Sequence, residues 1–161
     1  MHRARGFTLI ELMVTITVLA IITSIAAPSF SSMLRENRIA ATTNELRGAI
    51  QLARSEAVKR HQDVIVCRRN SAGNNCENGT NWSTGWLIRQ SGGDIIKVWE
   101  SVPDLAMTGP EAGVTFRASG LSAASATQSF AVASSSCTGQ QKRTLNVSAT
   151  GQTTLAKVNC E

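Results

Sequence analysis

Histidine is almost missing from this 161-residue chain, which holds only His2 and His61. His2 precedes a long apolar run, so a single imidazole, His61, remains for any chemistry beyond it. The serine-rich stretch from Ser119 to Ser136 contains no histidine or carboxylate that could activate a nucleophile. Glycine-rich loops of phosphate-binding spacing are absent, which argues against a nucleotide site. Paired Cys-x-x-Cys spacing is absent as well, which argues against a structural zinc. Nor is there a dense basic run. The formal charge of +5 includes Arg3 and Arg5 ahead of the apolar run, and without them 14 basic groups face 11 acidic ones. That balance is too mild and too scattered to call for nucleic acid. The sequence therefore predicts a non-enzyme that needs no cofactor and no metal.

Charge is also lacking from Phe7 to Phe30, where Glu11 is the only ionisable side chain. These residues would make a helix of roughly 36 Å, enough for the hydrocarbon core of a bilayer. A secretory signal peptide would have a shorter apolar core and a small-residue cleavage site behind it. Ala26-Ala27-Pro28 fits that site poorly, because Pro28 sits beside the scissile bond. A plain anchor explains everything except Glu11. A carboxylate within such a segment costs on the order of 2.5–3.5 kcal/mol, so it calls for a partner and a purpose.

Arg5-Gly6-Phe7-Thr8-Leu9-Ile10-Glu11-Leu12 resembles the class III signal of type IV pilins and type II secretion pseudopilins. The resemblance implies cleavage between Gly6 and Phe7 by a prepilin peptidase and N-methylation of the new Phe7 terminus. It implies that Glu11 is an assembly contact, paired with the freed Phe7 amine of a neighbouring subunit. Arg3 and Arg5 would keep the leader on the cytoplasmic side. Pro28, inside the helical stretch, is expected to kink it.

Beyond Pro28 the pattern changes. Ile39, Thr43, Leu46, Ile50, Ala53 and Ala57 recur at steps of three or four and make one apolar stripe. Arg35, Arg38, Glu45, Arg47, Arg54, Glu56 and Lys59 fall largely elsewhere and read as a solvated helix face. After Arg60 come seven short strand patterns at 63–68, 85–90, 95–100, 114–118, 129–133, 143–147 and 153–158, separated by turn residues. Trp82, Trp86 and Trp99 read as packing rather than as an exposed stacking platform. Four cysteines, Cys67, Cys76, Cys137 and Cys160, all follow the apolar run. In an exported domain they read as two disulfides. Of three connectivities, Cys67–Cys76 with Cys137–Cys160 closes the shortest loops.

Ala53-Arg54-Ser55-Glu56-Ala57, the run Thr115-Phe116-Arg117-Ala118-Ser119-Gly120, and Arg143 to Val147 followed by Gly151 are similar to the H-type pseudopilins and the FimT–FimU minor pilins. The expected fold class is α+β: a long N-terminal helix, transmembrane in its first half and amphipathic in its second, packed on antiparallel β-sheets. The expected segments are a cleaved leader at 1–6, a transmembrane and assembly helix at 7–30, its amphipathic half at 31–61 and a periplasmic β-rich head at 62–161. The resemblance implies a FimU-like minor pilin that primes or caps a type IV pilus, with an H-type pseudopilin of type II secretion as the alternative. Its partners would be other minor and major pilins or pseudopilins, the prepilin peptidase and the inner-membrane assembly platform. A third alternative is a DNA-binding minor pilin for natural transformation, whose branch carries a Gly-Arg-x-Arg run near the C-terminus. Here the matching turn reads Gly151-Gln152-Thr153-Thr154, and only Lys142, Arg143 and Lys157 lie near it as weak DNA contacts, so DNA uptake ranks last.

Overall fold

The structure, a computed structural model, describes residues 6–160, and the side chains of all of these except residues 25–29. Helix α1 spans Leu9–Arg60. The chain divides into two compact units, Met1–Asn37 and Arg38–Glu161. The amphipathic part of α1, from Arg38 onward, belongs to the same compact unit as all the strands.

In that second unit every residue of the predicted stripe, Ile39, Thr43, Leu46, Ile50, Ala53 and Ala57, is at most 1% exposed. Ala49 joins them on the same face. Thr43, the one polar member, donates its hydroxyl to the Ile39 carbonyl at 2.6 Å, so its burial leaves no unpaired group. The helix closes with His61 at φ 54°. Gln62 N–H bonds to the Ala57 carbonyl and His61 N–H to the Val58 carbonyl, a Schellman end that satisfies the last carbonyls. His61 is thus a helix terminator, exposed to solvent.

Two four-stranded antiparallel sheets follow. The first has the order β3-β2-β1-β5, from β1 Val64–Arg68, β2 Trp86–Gln90, β3 Ile95–Trp99 and β5 Val114–Phe116. The second has the order β4-β6-β7-β8, from β4 Leu105–Thr108, β6 Gln128–Ser134, β7 Lys142–Val147 and β8 Thr153–Val158. The fold is α+β, as the element pattern predicts. One strand was not anticipated. Leu105–Thr108 is poor in β-branched and aromatic residues and lies between Pro103 and Pro110, so it reads as loop. Pairing with β6 makes it an edge strand. The 3-10 turn Trp82–Thr84 pins it, because Ser83 Oγ donates to the Leu105 carbonyl at 2.7 Å and accepts from Met107 N–H at 3.0 Å.

One apolar cluster joins the helix stripe to both sheets. It includes Val64, Val66, Ile88, Val114 and Phe116 from the first sheet and Phe130, Val132, Leu145 and Val147 from the second. Trp82 and Trp86 are fully buried in it. Trp82 meets Phe130 edge-on at 4.8 Å, and Trp86 stacks on its cross-strand partner Trp99 at 5.9 Å.

Not every charge on the helix is solvated. Arg54 is half-buried, and its Nε donates to the Gly120 carbonyl at 2.9 Å while Nη1 reaches the Gly151 carbonyl at 3.4 Å. Gly120 follows β5 and Gly151 makes the β7–β8 turn, so one guanidinium ties the helix to a loop from each sheet. Gly151 has φ +75°, and a Cβ there would stand 2.8 Å from the Gly120 carbonyl oxygen. Only glycine fits. Glu56 is also mostly covered, with its side chain 13% exposed. The hydrogen bond from Arg60 Nε holds its carboxyl below the usual value, outweighing burial, with the charges of Arg60 and Lys59 adding to it. A lowered carboxyl pKa adds stability above the ordinary value of 4.5, and that stability is lost as pH falls through the lowered one.

Leu46→Ala is expected to destabilise the protein by about 2–5 kcal/mol, since Leu46 is fully buried in the apolar cluster that includes residues of both sheets. Leu34→Ala, at a position 53% exposed, is expected to stay within about 0.5 kcal/mol. Chemical unfolding of the two variants in the same detergent checks the contrast. Equal effects would mean that the stripe does not organise the core.

Candidate functional site

Gly6, Phe7 and Thr8 are non-helical, and α1 begins at Leu9. Phe7 is 83% exposed. Thr8 stands at the N-cap, where its hydroxyl oxygen accepts from Glu11 N–H at 3.3 Å. Glu11 answers by accepting from Thr8 N–H and from the Thr8 hydroxyl on Oε2, each at 3.2 Å. This is a capping box, in which cap and third helical residue satisfy each other's backbone donors. The resemblance points Glu11 to a freed Phe7 amine, and the structure adds a partner within its own helix. The Thr-x-x-Glu spacing at Thr8–Glu11 was the available signal.

Four other polar side chains of the apolar run, among the described residues, are satisfied inside the helix. Thr15, Thr17, Thr23 and Ser24 hydroxyls donate to the carbonyls of Leu12, Met13, Leu19 and Ile21 at 2.7–2.9 Å. Each bond lowers the cost of placing that hydroxyl in an apolar medium. Among the described residues, no helix is long and apolar enough to cross a membrane. The described apolar stretch Leu9–Ser24 measures about 24 Å, short of a bilayer core of ~30 Å. The expected span of Phe7 to Phe30 includes residues 25–29, and the expected kink at Pro28 falls there too, outside the described side chains.

In the head, Cys67 is bonded to Cys76 and Cys137 to Cys160, with Cα–Cα distances of 5.5 and 5.7 Å. The first bridge closes the loop after β1. There Asn70 Oδ1 accepts from Asn74 and Asn75 N–H, Arg68 pairs with Glu77 at 3.1 Å, and Arg69 pairs with Glu100 at 2.5 Å. The second ties the β6–β7 loop to the C-terminal segment, where Cys160 N–H bonds to the Gly139 carbonyl at 2.8 Å.

The three basic residues near the C-terminal hairpin do not share a face. Arg143 and Lys157 are direct cross-strand partners, on the side of β7 and β8 that also carries Leu145 and Leu155. Lys142, one residue away, lies on the opposite side, beside Ala131, Ala133 and the Cys137–Cys160 bridge. Two arginines that sequence reading assigned to the solvated helix face instead border one cleft of about 280 Å³. Arg47 and Arg54 line it together with Gln51 and the turn Gly151–Thr154. Positions 47, 51 and 54 lie on one side of a helix, a spacing legible in the sequence, but the turn that completes the cleft is far away along the chain.

Residues 42–151 match the family model described as type II transport protein GspH, and residues 1–27 match the prokaryotic N-terminal methylation motif. No curated protein matches. Among solved structures, the type IV minor pilin FimU of Pseudomonas aeruginosa strain PAO1 is similar in two crystal forms. One is 22% identical with a TM-score of 0.59, covering 74% of this chain and 89% of that one. The other is 23% identical with a TM-score of 0.56, covering 72% and 90%. At these identities the likeness is one of fold.

Thr8→Ala is expected to remove about 1 kcal/mol from the helix start and to speed exchange of the Ile10 and Glu11 amides roughly fivefold. Hydrogen exchange of the full chain in detergent micelles, read by NMR, checks this. Unchanged exchange would mean that the cap does not hold the helix end.

Proposed function

The chain belongs to the GspH family of type II transport proteins, and from that premise we propose that it is a FimU-like minor pilin, built into a type IV pilus where it helps prime or cap assembly for twitching motility or adhesion. The observation that carries this reading is the order of parts along one chain. A methylation motif in residues 1–27 opens directly into helix α1, and the family head follows at 42–151. The likeness of fold to a minor pilin favours the pilus. The family's description favours a second reading, an H-type pseudopilin of a type II secretion filament. No catalytic role and no nucleic-acid partner is proposed.

In either filament the same steps follow. The prepilin peptidase cuts between Gly6 and Phe7 on the cytoplasmic side, and Phe7 becomes the methylated N-terminus. The run from Phe7 to Phe30 holds the subunit in the inner membrane as a single pass, with the head periplasmic, until the assembly platform and neighbouring pilins or pseudopilins take it up. An unpaired Glu11 costs on the order of 2.5–3.5 kcal/mol in that setting, and a neighbour's Phe7 amine would relieve the cost. Desolvation of both groups offsets much of their attraction, so the pair contributes axial register more than net stability. Cleavage leaves Phe7 next to the Thr8 cap, which brings the new amine and the carboxylate to the same end of the helix.

Glu11→Ala is expected to leave membrane insertion and leader cleavage intact and to lower incorporation into sheared filaments at least tenfold. Immunoblots of membrane and filament fractions measure both, and normal incorporation would sink the assembly role. A deletion strain separates the two filaments: loss of twitching with normal exoprotein secretion supports the pilus, and the reverse outcome supports the pseudopilin.

A further inference from the structure

Among the described residues, four arginines pair with a carboxylate: Arg38 takes Asp104, Arg60 takes Glu56, Arg68 takes Glu77 and Arg69 takes Glu100. Arg47 and Arg54 do not. Both are half-buried, both face the cleft closed by Gly151–Thr154, and neither has a carboxylate within ion-pair distance among the described residues. Arg47 commits only Nε, to Thr153 Oγ1 at 3.2 Å. Arg54 commits Nε to Gly120 and Nη1 to Gly151. These bonds fix the two side chains, and among the described residues both Nη groups of Arg47 and Nη2 of Arg54 have no acceptor. Two half-buried cations that line one cleft without a counter-charge repel each other, a cost that an anion between them would remove.

We propose that this cleft is an anion-binding site that receives the carboxylate of an Asp or Glu side chain from the head of a neighbouring filament subunit. The proposal rests on the filament reading above and adds a docking contact to it. Guanidinium forks match a carboxylate in bidentate geometry, and Gln51 and Gln152 at the rim can donate to its remaining lone pairs. A single group fits the site better than a phosphate backbone does. The rim is otherwise neutral, and the next cations along the strand, the Arg143–Lys157 pair, begin four residues beyond Thr153, about 13 Å away. Nucleic acid would need a continuous series of phosphate contacts. Arg47 and Arg54 are seven positions apart, about 10.5 Å along the helix, and the turn between them sets the depth.

The test uses the full chain in detergent, with the Arg Nε–H signals of Arg47 and Arg54 followed by NMR. Succinate is the carboxylate probe, and inorganic phosphate and a short DNA duplex are run in parallel. Succinate should move both signals with saturation by ~10 mM, and Arg47→Gln should weaken the response of Arg54 at least tenfold. Arg47→Lys, which keeps the charge and loses the fork, should weaken it severalfold. Thermal midpoints of both variants should stay within ~2 °C of the parent, showing that the fold is kept. In cells, Arg47→Glu should reach normal membrane levels and lose at least fivefold in filament incorporation. Signals that ignore succinate, a tighter response to phosphate or DNA, or normal incorporation of Arg47→Glu would each overturn the proposal. If Arg47→Glu incorporates normally while Glu11→Ala does not, the docking contact fails and the filament reading stands. If both incorporate normally, the filament reading fails first.

Discussion

One helix face has to close two sheets at once, and the rest of the head depends on that constraint. The stripe from Ile39 to Ala57 supplies the apolar side of the contact with almost no exposed area. Its composition is graded. The large residues Ile39, Leu46 and Ile50 lie in the earlier turns, and the last two turns of the stripe carry only Ala53 and Ala57. Arg54 completes the arrangement beside the alanines. A side chain that long can leave the apolar face and still reach carbonyls on loops from both sheets. The absence of any Cβ at Gly151 gives the two loops room to meet there.

Much of this architecture can be read from the chain, because period and turn chemistry are local signals. The 3.6-residue stripe, the Gly-rich hairpin at 91–94 and the Gly151 turn each announce themselves within a few residues. The elements that escaped depend on distant partners. Leu105–Thr108 becomes a strand through pairing with β6 and through the hydroxyl of Ser83, neither of which its own residues encode. Arg54 looks like any surface arginine until Gly120 and Gly151, more than sixty residues away, arrive beneath it. Thr8 is the opposite case. Its Thr-x-x-Glu spacing is a local signal and encodes the cap within four residues.

The two ends of the helix therefore handle charge differently. At Thr8 and Glu11 the carboxylate is shared between its own helix cap and, in the proposed filament, a neighbour's amine. The cap bonds are worth about 1 kcal/mol, less than the cost of an unpaired carboxylate in an apolar medium. A subunit waiting for a partner is thus held in a helix that starts correctly, and the cap is weak enough to yield to a stronger pair. Were the cap a buried, multiply bonded salt bridge, assembly would have to break it first.

The same distinction sorts the polar groups of the head. Thr43 and Glu56 find their partners within the subunit, so substituting them should change stability before anything else. Arg47 is held in place by a single hydroxyl and keeps its terminal donors for something outside. Arg54 belongs to both classes, since its committed bonds organise the loops and its spare donor faces the cleft. A substitution at Arg54 therefore mixes folding with docking, while one at Arg47 separates them. An assembly protein gains from that separation. Contacts that define the subunit are complete before it meets a neighbour, and contacts that join neighbours can be tuned without endangering the fold.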